Sequence, residues 1–140
     1  MTELFDMPKQ KVMVVCGSRS DLPIAKEVEE TLKAHKVKCE VKIASAHREP
    51  DKVRSLVEKS KAQVFVAIAG LSAALPGFIA SITDKPVIGV PVSVKLGGLD
   101  ALLSMAQTPA GVPVATVGID NGTNAAHLAM RILKLSVKPK

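Results

Sequence analysis

The chain has 140 residues, a length that fits one domain around a single core. Its hydrophobic content of 47% excludes a disordered chain, and its 2% aromatic content, without Trp or Tyr, argues against single-stranded nucleic-acid binding by base stacking. The net charge of +6 indicates a solvated basic surface, or mild attraction for a phosphorylated small molecule, in preference to a nucleic-acid surface.

Five short apolar runs of strand length, each rich in Val or Ile, recur along the chain. They occupy residues 12–16, 39–43, 64–68, 87–90 and 114–117. Aliphatic, β-branched runs of this kind are typical of strands that are covered on both faces, as in parallel sheets. The sequence therefore predicts five buried strands.

Segments with the apolar spacing of helices lie between these runs. Pro23 and Pro50 stand near the starts of the first two helices, where proline is favoured. A shorter helix is predicted over residues 75–81. The apolar stripes of the four longer helices are Ile24, Val28 and Leu32; Val53, Leu56 and Val57; Leu99, Leu102 and Leu103; and Leu128, Ile132 and Leu133.

Strands that alternate with helices imply right-handed crossovers. We therefore predict the α/β class: a three-layer α/β/α sandwich around a doubly wound, five-stranded parallel sheet. No internal repeat or linker divides the chain. Residues 1–140 are accordingly predicted to form a single domain, with a polar leader at residues 1–10 and a basic tail at residues 134–140.

The two cysteines, Cys16 and Cys39, belong to separate predicted strands and lack the spacing of metal ligands. Two reduced, buried thiols are therefore expected rather than a disulfide. No apolar run approaches the roughly 18 residues of a membrane span. The first eleven residues also lack the apolar stretch of a secretion signal. We expect a cytoplasmic chain without a membrane partner.

Small and polar residues follow the end of each predicted strand, which in an open α/β sheet is where ligands bind. The first such loop, Gly-Ser-Arg-Ser-Asp at residues 17–21, offers hydroxyls and backbone amides to an anion. It matches neither the phosphate-binding Walker loop nor the dinucleotide fingerprint. Ser18, Ser20 and Asp21 are candidate ligand-binding residues, but Ser20 or Asp21 could instead simply cap the next helix.

The second loop contains Ser45, Ala46, His47 and Arg48. An imidazole carries protons near neutral pH, and a guanidinium can hold an anion through two bonds. Among the three histidines, His47 alone follows a predicted strand, so we favour proton transfer over a structural role. Arg48 is either a phosphate ligand or an ion-pair partner of an acidic neighbour, Glu49 or Asp51.

The third loop, residues 69–77, is made of small residues with two glycines. Such a loop lets a planar ligand lie directly on the main chain, with Gly70, Ser72 and Ala73 as candidate contacts. The alternative is a close contact between helix and sheet that tolerates small side chains alone. A metal site is not expected, because the histidines are scattered and no pair of carboxylates accompanies them.

In combination, these loops resemble the PurE family of purine biosynthesis, from about Val12 to Leu133. The motifs that carry the resemblance are Gly-Ser-Arg-Ser-Asp at 17–21, Ser-Ala-His-Arg at 45–48, Ala-Gly at 69–70, Leu-Pro-Gly at 75–77, Pro-Val-Ile-Gly-Val-Pro at 86–91, Gly-Leu-Asp-Ala-Leu-Leu-Ser at 98–104, Gln107 with Pro109, Gly-Val-Pro-Val-Ala-Thr at 111–116 and Asn-Ala-Ala at 124–126.

The resemblance implies a flavodoxin-like fold, a homo-octamer, and a ribonucleotide substrate handled without a metal or organic cofactor. It implies that His47 is the general acid–base. It also implies that the substrate phosphate is held by Ser18, Ser20 and Arg48, and that Asp21 binds the ribose hydroxyls. The full set of expected substrate-binding residues is Ser18, Ser20, Asp21, Ser45, Arg48, Gly70, Ser72 and Ala73.

The third loop departs from the family pattern. The mutase branch usually has Ala-Gly-Gly-Ala-Ala-His-Leu-Pro-Gly there, and this chain differs from it at Leu71, Ser72 and Ala74. The carboxylase branch has Arg-Ser-Asn-Ala in this loop, which Ser72 and Ala74 resemble. Arg48 and residues 86–124 are similar to the mutase branch. We therefore predict an N5-carboxyaminoimidazole ribonucleotide mutase, with a carboxylase that uses carbon dioxide directly as the alternative. A non-catalytic ribonucleotide-binding protein is the alternative from another class, since Ala74 replaces a histidine.

Overall fold

The computed structural model describes residues 11–136. The predicted polar leader and the last four residues of the predicted basic tail lie outside this range. The strands are β1 (Lys11–Cys16), β2 (Lys38–Ile43), β3 (Val64–Gly70), β4 (Val87–Val92) and β5 (Ala115–Thr116). The helices are α1 (Leu22–Ala34), α2 (Pro50–Lys59), α3 (Leu75–Ser81), α4 (Leu99–Ala106) and α5 (Gly122–Leu135).

The five strands form one parallel sheet in the order β2-β1-β3-β4-β5, which is the flavodoxin-like arrangement. The chain runs from β1 outward to β2 and then returns to the other side of β1 to form β3. Loops that leave β1 and β3 therefore diverge to opposite faces and open a crevice between them at the carboxyl edge of the sheet. The fold alone places a ligand site beside the end of β1.

Two apolar layers cover the sheet, as the sequence predicts. On one face α1 and α5 pack against alternate residues of the central strands, such as Val14 and Val66; on the other, α2, α3 and α4 pack against Val15 and Ala67. Because both faces are covered, the central strands are apolar at nearly every position. The edge strand β2 instead alternates between exposed and half-buried residues.

The predicted apolar stripe of α4 is wrong. Ala101 and Met105 face the core, whereas Leu99 and Leu103 are 53% and 48% exposed. The Met105 side chain fits over Gly89 of β4, where an added Cβ would lie 2.9 Å from its sulfur. Two outward-facing leucines on one helix need a separate explanation. The stripes of α1, α2 and α5 are confirmed at Val28, Val53 and Leu133, which are buried.

Both cysteines are free thiols. Cys16 is fully buried, and burial raises the pKa of its thiol to about 12, so it stays protonated and unreactive. Cys39 is half-buried, so the expectation of two buried thiols is correct for Cys16 and wrong in degree for Cys39. Within residues 11–136, no helix is both long enough and apolar enough to cross a bilayer.

Candidate active site

A cavity of about 420 Å³ lies at the carboxyl ends of β1, β2 and β3, where the topology predicts it. All nine candidate residues line it, so the structure brings together three loops that are far apart in the sequence. Its lining comprises Gly17, Ser18, Ser20, Asp21, Ser45, Ala46, His47, Arg48, Ala69, Gly70, Leu71, Ser72, Ala73, Ala74, Leu75 and Val94.

The first loop is braced by Asp21, which is 3% exposed. Its carboxylate accepts hydrogen bonds from the Ser18 backbone N–H at 3.1 Å and from the Ser18 hydroxyl at 3.4 Å. Burial raises the pKa of Asp21 above its ordinary value, although the bonds from Ser18 act in the opposite direction. Asp21 makes no side-chain cap bond to α1, so capping of that helix does not explain this residue.

The hydroxyls of Ser18 and Ser20 lie 2.6 Å apart and line the cavity together. Because the Ser18 amide is already bonded to Asp21, an anion entering this loop would meet the two hydroxyls before that amide. The loop therefore offers a pair of neutral hydrogen-bond donors beside a buried carboxylate.

The second loop is a tight turn that Ser45 holds. The Ser45 hydroxyl accepts a hydrogen bond from the Arg48 backbone N–H at 3.2 Å, and its carbonyl accepts one from the Glu49 N–H at 2.8 Å. Ser45 is buried, whereas His47 and Arg48 are exposed at the turn. Ser45 thus folds the loop that presents the imidazole and the guanidinium to the cavity.

The Arg48 side chain reaches back to the first loop. Its Nη2 donates to the carbonyl of Gly17 at 3.4 Å, which places the guanidinium next to the loop that carries the serine pair. Within residues 11–136, Arg48 forms no ion pair, and Glu49 pairs with Lys52 at 3.7 Å instead. The observed geometry therefore favours Arg48 as an anion ligand over Arg48 as a partner of its acidic neighbours.

The third loop gives a mixed result for its candidate residues. Leu71 adopts a left-handed φ of +55°, and its carbonyl accepts a bond from the Ala73 N–H at 2.8 Å. Ser72 is exposed, but Ala73 is 2% exposed and offers the cavity little more than its backbone. Gly70 is needed because a Cβ there would lie 2.5 Å from Val94 Cγ2. Close packing explains this glycine without a ligand.

Val94 also lines the cavity; its segment is expected at the crevice, but Val94 itself is not among the predicted site residues. It follows β4, and nothing in its own residue type or spacing distinguishes it from a core valine. The segment after β5 was expected at the crevice as well, yet it contributes no lining residue. Three loops and one side chain from a fourth therefore form the site.

A larger groove of about 630 Å³ lies at the opposite edge of the sheet, near the starts of β1 and β2. Its lining includes Lys11 and Lys33, which pair with Glu40 at 2.6 Å and Glu29 at 3.7 Å. The described residues that line this groove include no histidine or serine. Within residues 11–136, no group of three metal-ligating side chains occurs. The chemistry is therefore concentrated in the cavity around His47.

Comparison with known proteins shows which family the chain belongs to. The family model for AIR carboxylase matches residues 11–139. The N5-carboxyaminoimidazole ribonucleotide mutase of Methanocaldococcus jannaschii is 59% identical over 124 residues, which cover 89% of this chain and 79% of that protein. The mutase of Pyrococcus horikoshii is 50% identical over 129 residues, which cover 89% of this chain and 73% of that protein.

A relative from Methanobrevibacter smithii is 56% identical over 128 residues but is much longer, so this chain spans 38% of its length. Among solved structures, the crystal structure of Treponema denticola PurE matches with a TM-score of 0.81 and 30% identity. The match covers 91% of this chain and 82% of that one. The fold is thus shared with a solved structure over most of the chain.

Proposed function

The chain belongs to the AIR carboxylase family, and from that premise we propose that it is an N5-carboxyaminoimidazole ribonucleotide mutase. Such an enzyme moves a carboxyl group from the exocyclic nitrogen N5 to ring carbon C4 of its substrate, and its product is 4-carboxy-5-aminoimidazole ribonucleotide. The observation that carries the proposal is the convergence of His47, Arg48 and the serine pair on one cavity.

The substrate phosphate is the natural ligand of the first loop. Ser18, Ser20 and Arg48 supply hydroxyl and guanidinium donors there, and the Arg48 bond to the Gly17 carbonyl already aims the guanidinium at that loop. Asp21 is an acceptor for ribose hydroxyls. With the phosphate fixed at one end, the imidazole ring of the substrate extends toward His47 and the third loop, which is the positioning that the reaction needs.

His47 supplies the two proton transfers. Loss of carbon dioxide from N5 leaves a nitrogen that must gain a proton, and attack of C4 on the same carbon dioxide leaves a hydrogen on C4 that must depart. One imidazole can donate the first proton and accept the second, so His47 ends each turnover in its starting state. Carbon dioxide has to remain in the cavity between the two steps, which requires that water be kept out.

The mutase is favoured over direct use of carbon dioxide because the two curated relatives named above are mutases, at 59% and 50% identity. The unusual Leu71, Ser72 and Ala74 line the same cavity as His47 and Arg48. A non-catalytic binding protein would not need an imidazole at the cavity, on a turn that a buried serine holds through the Arg48 N–H.

We propose further that the working enzyme is a homo-oligomer, with an octamer as the expected form, and that it is cytoplasmic. His47 is exposed in the single chain, so one chain alone cannot keep water from the reacting atoms. Within residues 11–136, five of the seven exposed large apolar side chains follow the ends of β3 and β4, and the first two of them line the cavity: Leu71, Val94, Leu96, Leu99 and Leu103. A second copy packed there would cover both.

The direct test supplies the pure protein with N5-carboxyaminoimidazole ribonucleotide and, separately, with aminoimidazole ribonucleotide plus bicarbonate. We expect turnover of the first substrate and little of the second. His47→Asn should lower kcat by roughly 10²-fold or more, the usual scale for a general acid–base. The control His127→Asn changes an exposed histidine on α5 and should leave kcat unchanged. Folded wild-type protein without turnover of either substrate would contradict an enzymatic function.

A further inference from the structure

Asp120 lies outside the cavity, in the turn between β5 and α5, yet it is bonded to the segment that carries Val94. Its Oδ1 accepts a hydrogen bond from the Ser93 backbone N–H at 2.9 Å, and its Oδ2 accepts one from the Ser93 hydroxyl at 2.6 Å. The Asp120 N–H donates to the carbonyl of Pro91 at 2.8 Å. One residue thus binds the end of β4 through three bonds.

The backbone of Asp120 is held in a strained conformation. Its φ is +60°, in the left-handed region that favours glycine, so an aspartate there has a free-energy cost. The neighbouring Ile119 packs closely on the same segment, because a Cβ added to Gly98 would lie 2.7 Å from Ile119 Cγ2. The three hydrogen bonds of Asp120 to Pro91 and Ser93 offset the free-energy cost of its left-handed backbone conformation.

Apart from the close contact between Gly98 and Ile119, the segment that Asp120 holds is supported by local hydrogen bonds: the Val94 N–H donates to the Val92 carbonyl at 3.1 Å, and the Gly98 N–H donates to the Lys95 carbonyl at 2.8 Å. Residues 96, 97 and 98 all have positive φ angles, of 50°, 64° and 84°, so the chain turns sharply two residues after Val94. Val94 itself is 50% exposed, and its Cγ2 lies over Gly70 at the edge of the cavity. Its placement against the third loop therefore depends on how Ser93 is fixed.

We propose that Asp120 is a positioning residue for the reaction: it fixes Ser93, and through Ser93 it fixes Val94 as the wall of the cavity opposite His47's loop. We call this pair the Asp120–Ser93 latch. The proposal rests on the proposed function. The wall limits where the substrate ring can lie, whereas the phosphate is held separately by the first loop. Loss of the latch should therefore affect kcat more than KM.

Three variants separate the carboxylate from the backbone. Asp120→Gly removes the carboxylate and relieves the left-handed strain, so loss of folding is not expected. Asp120→Asn keeps an acceptor for the Ser93 N–H and tolerates positive φ. Ser93→Ala removes the hydroxyl bond alone. Asp84→Gly is the matched control, because Asp84 is exposed and precedes β4 at the opposite edge of the sheet.

With N5-carboxyaminoimidazole ribonucleotide as substrate, Asp120→Gly should lower kcat by about 10-fold to 100-fold and change KM by less than about threefold, because a misplaced wall disturbs orientation. Asp120→Asn should recover most of the lost kcat. Ser93→Ala combined with Asp120→Gly should be no worse than Asp120→Gly alone, since both remove the same contact. Hydrogen exchange of residues 93–98 should become faster in Asp120→Gly and stay unchanged in Asp84→Gly.

The latch is wrong if Asp120→Gly retains wild-type kcat, or if exchange of residues 93–98 is unaffected. A fall in kcat that Asp120→Asn does not restore would also overturn it, because the bond to Ser93 would then not be the cause. Failure of the proposed function has a different signature. In that case the wild-type chain itself shows no turnover, and a positioning role in that reaction fails with it.

Discussion

At the scale of single residues, the candidate site contains polar groups whose burial lowers the stability of the fold. Asp21 is the clearest case, because its carboxyl group is buried at the loop that we propose binds the phosphate. Burial raises its pKa, and the bonds from Ser18 compensate in part. A residue that is held against its own preference in this way is typical of functional sites.

The raised pKa gives a prediction with a definite sign. Between the unfolded pKa near 3.8 and the higher folded pKa, the native state binds more protons, so stability falls as pH rises through that window. Asp21→Asn removes the buried charge and keeps an acceptor for the Ser18 N–H. At pH 7 the variant should unfold at a higher temperature than the wild type, by a few degrees, as roughly 1 kcal/mol corresponds to about 3 °C at this chain length.

That difference should shrink as the pH is lowered toward 3.8, where the wild-type carboxyl becomes protonated. Thermal unfolding followed by circular dichroism at several pH values measures it. Asp84→Asn, which removes a carboxylate at an exposed position, is the control. An Asp21→Asn protein that is less stable than the wild type at pH 7 would show that the bonds from Ser18 outweigh the burial of the charge.

At the scale of secondary-structure elements, the sequence predicts type and order well. The β-branched runs predict all five strands to within two residues: β3 and β4 are each two residues longer than predicted, and β5, at Ala115–Thr116, is two residues shorter. The stripe of α4 could not be assigned correctly, since leucine spacing alone does not show which face meets the sheet. The deciding contact, Met105 over Gly89, joins residues that become neighbours only in the folded chain.

In the candidate site, too, some residues can be predicted from the sequence and others depend on contacts that form only in the folded chain. Polar residues at the ends of strands are visible in the sequence, because topology brings such ends to one edge. Val94 and Asp120 are not, because each acts through a contact with a distant loop. A weak signal does exist for Asp120: it precedes Asn-Gly, a pair typical of turns with positive φ.

The contact between α1 and α5 yields a prediction at this scale. Gly122, the first residue of α5, lies against α1, and an added Cβ would be 2.8 Å from the backbone carbonyl oxygen of Ile24. A backbone atom cannot move aside easily, so Gly122→Ala should destabilise the fold by about 1–3 kcal/mol. Gly118→Ala is the matched control, because its Cβ would meet nothing closer than 3.8 Å. Urea unfolding at one fixed protein concentration measures both; equal stability of the two variants would contradict the close contact.

At the scale of the whole molecule, the exposed leucines and the open cavity have one explanation in common. Leu99 and Leu103 are one helical turn apart on α4 and face away from its own core. Exposed apolar side chains grouped beside a functional cavity mark a protein contact more often than a bare surface. If copies of the chain meet there, the same contact would limit the access of water to His47. A substitution that breaks this contact would then abolish both assembly and catalysis.

The corresponding prediction uses the double variant Leu99→Lys with Leu103→Lys. Charges on this face cannot be buried against a second copy without a large desolvation cost, so the variant should have a smaller mass in solution than the wild type. Its kcat should fall by about 10-fold or more, because water then reaches the reacting atoms, while circular dichroism should show an intact fold. Light scattering after size exclusion gives the mass.

Leu135→Lys, at an exposed leucine where α5 ends, is the control and should keep both mass and activity. A double variant that keeps the wild-type mass would show that this face is not the contact, and a smaller variant with full activity would show that one chain closes its own site.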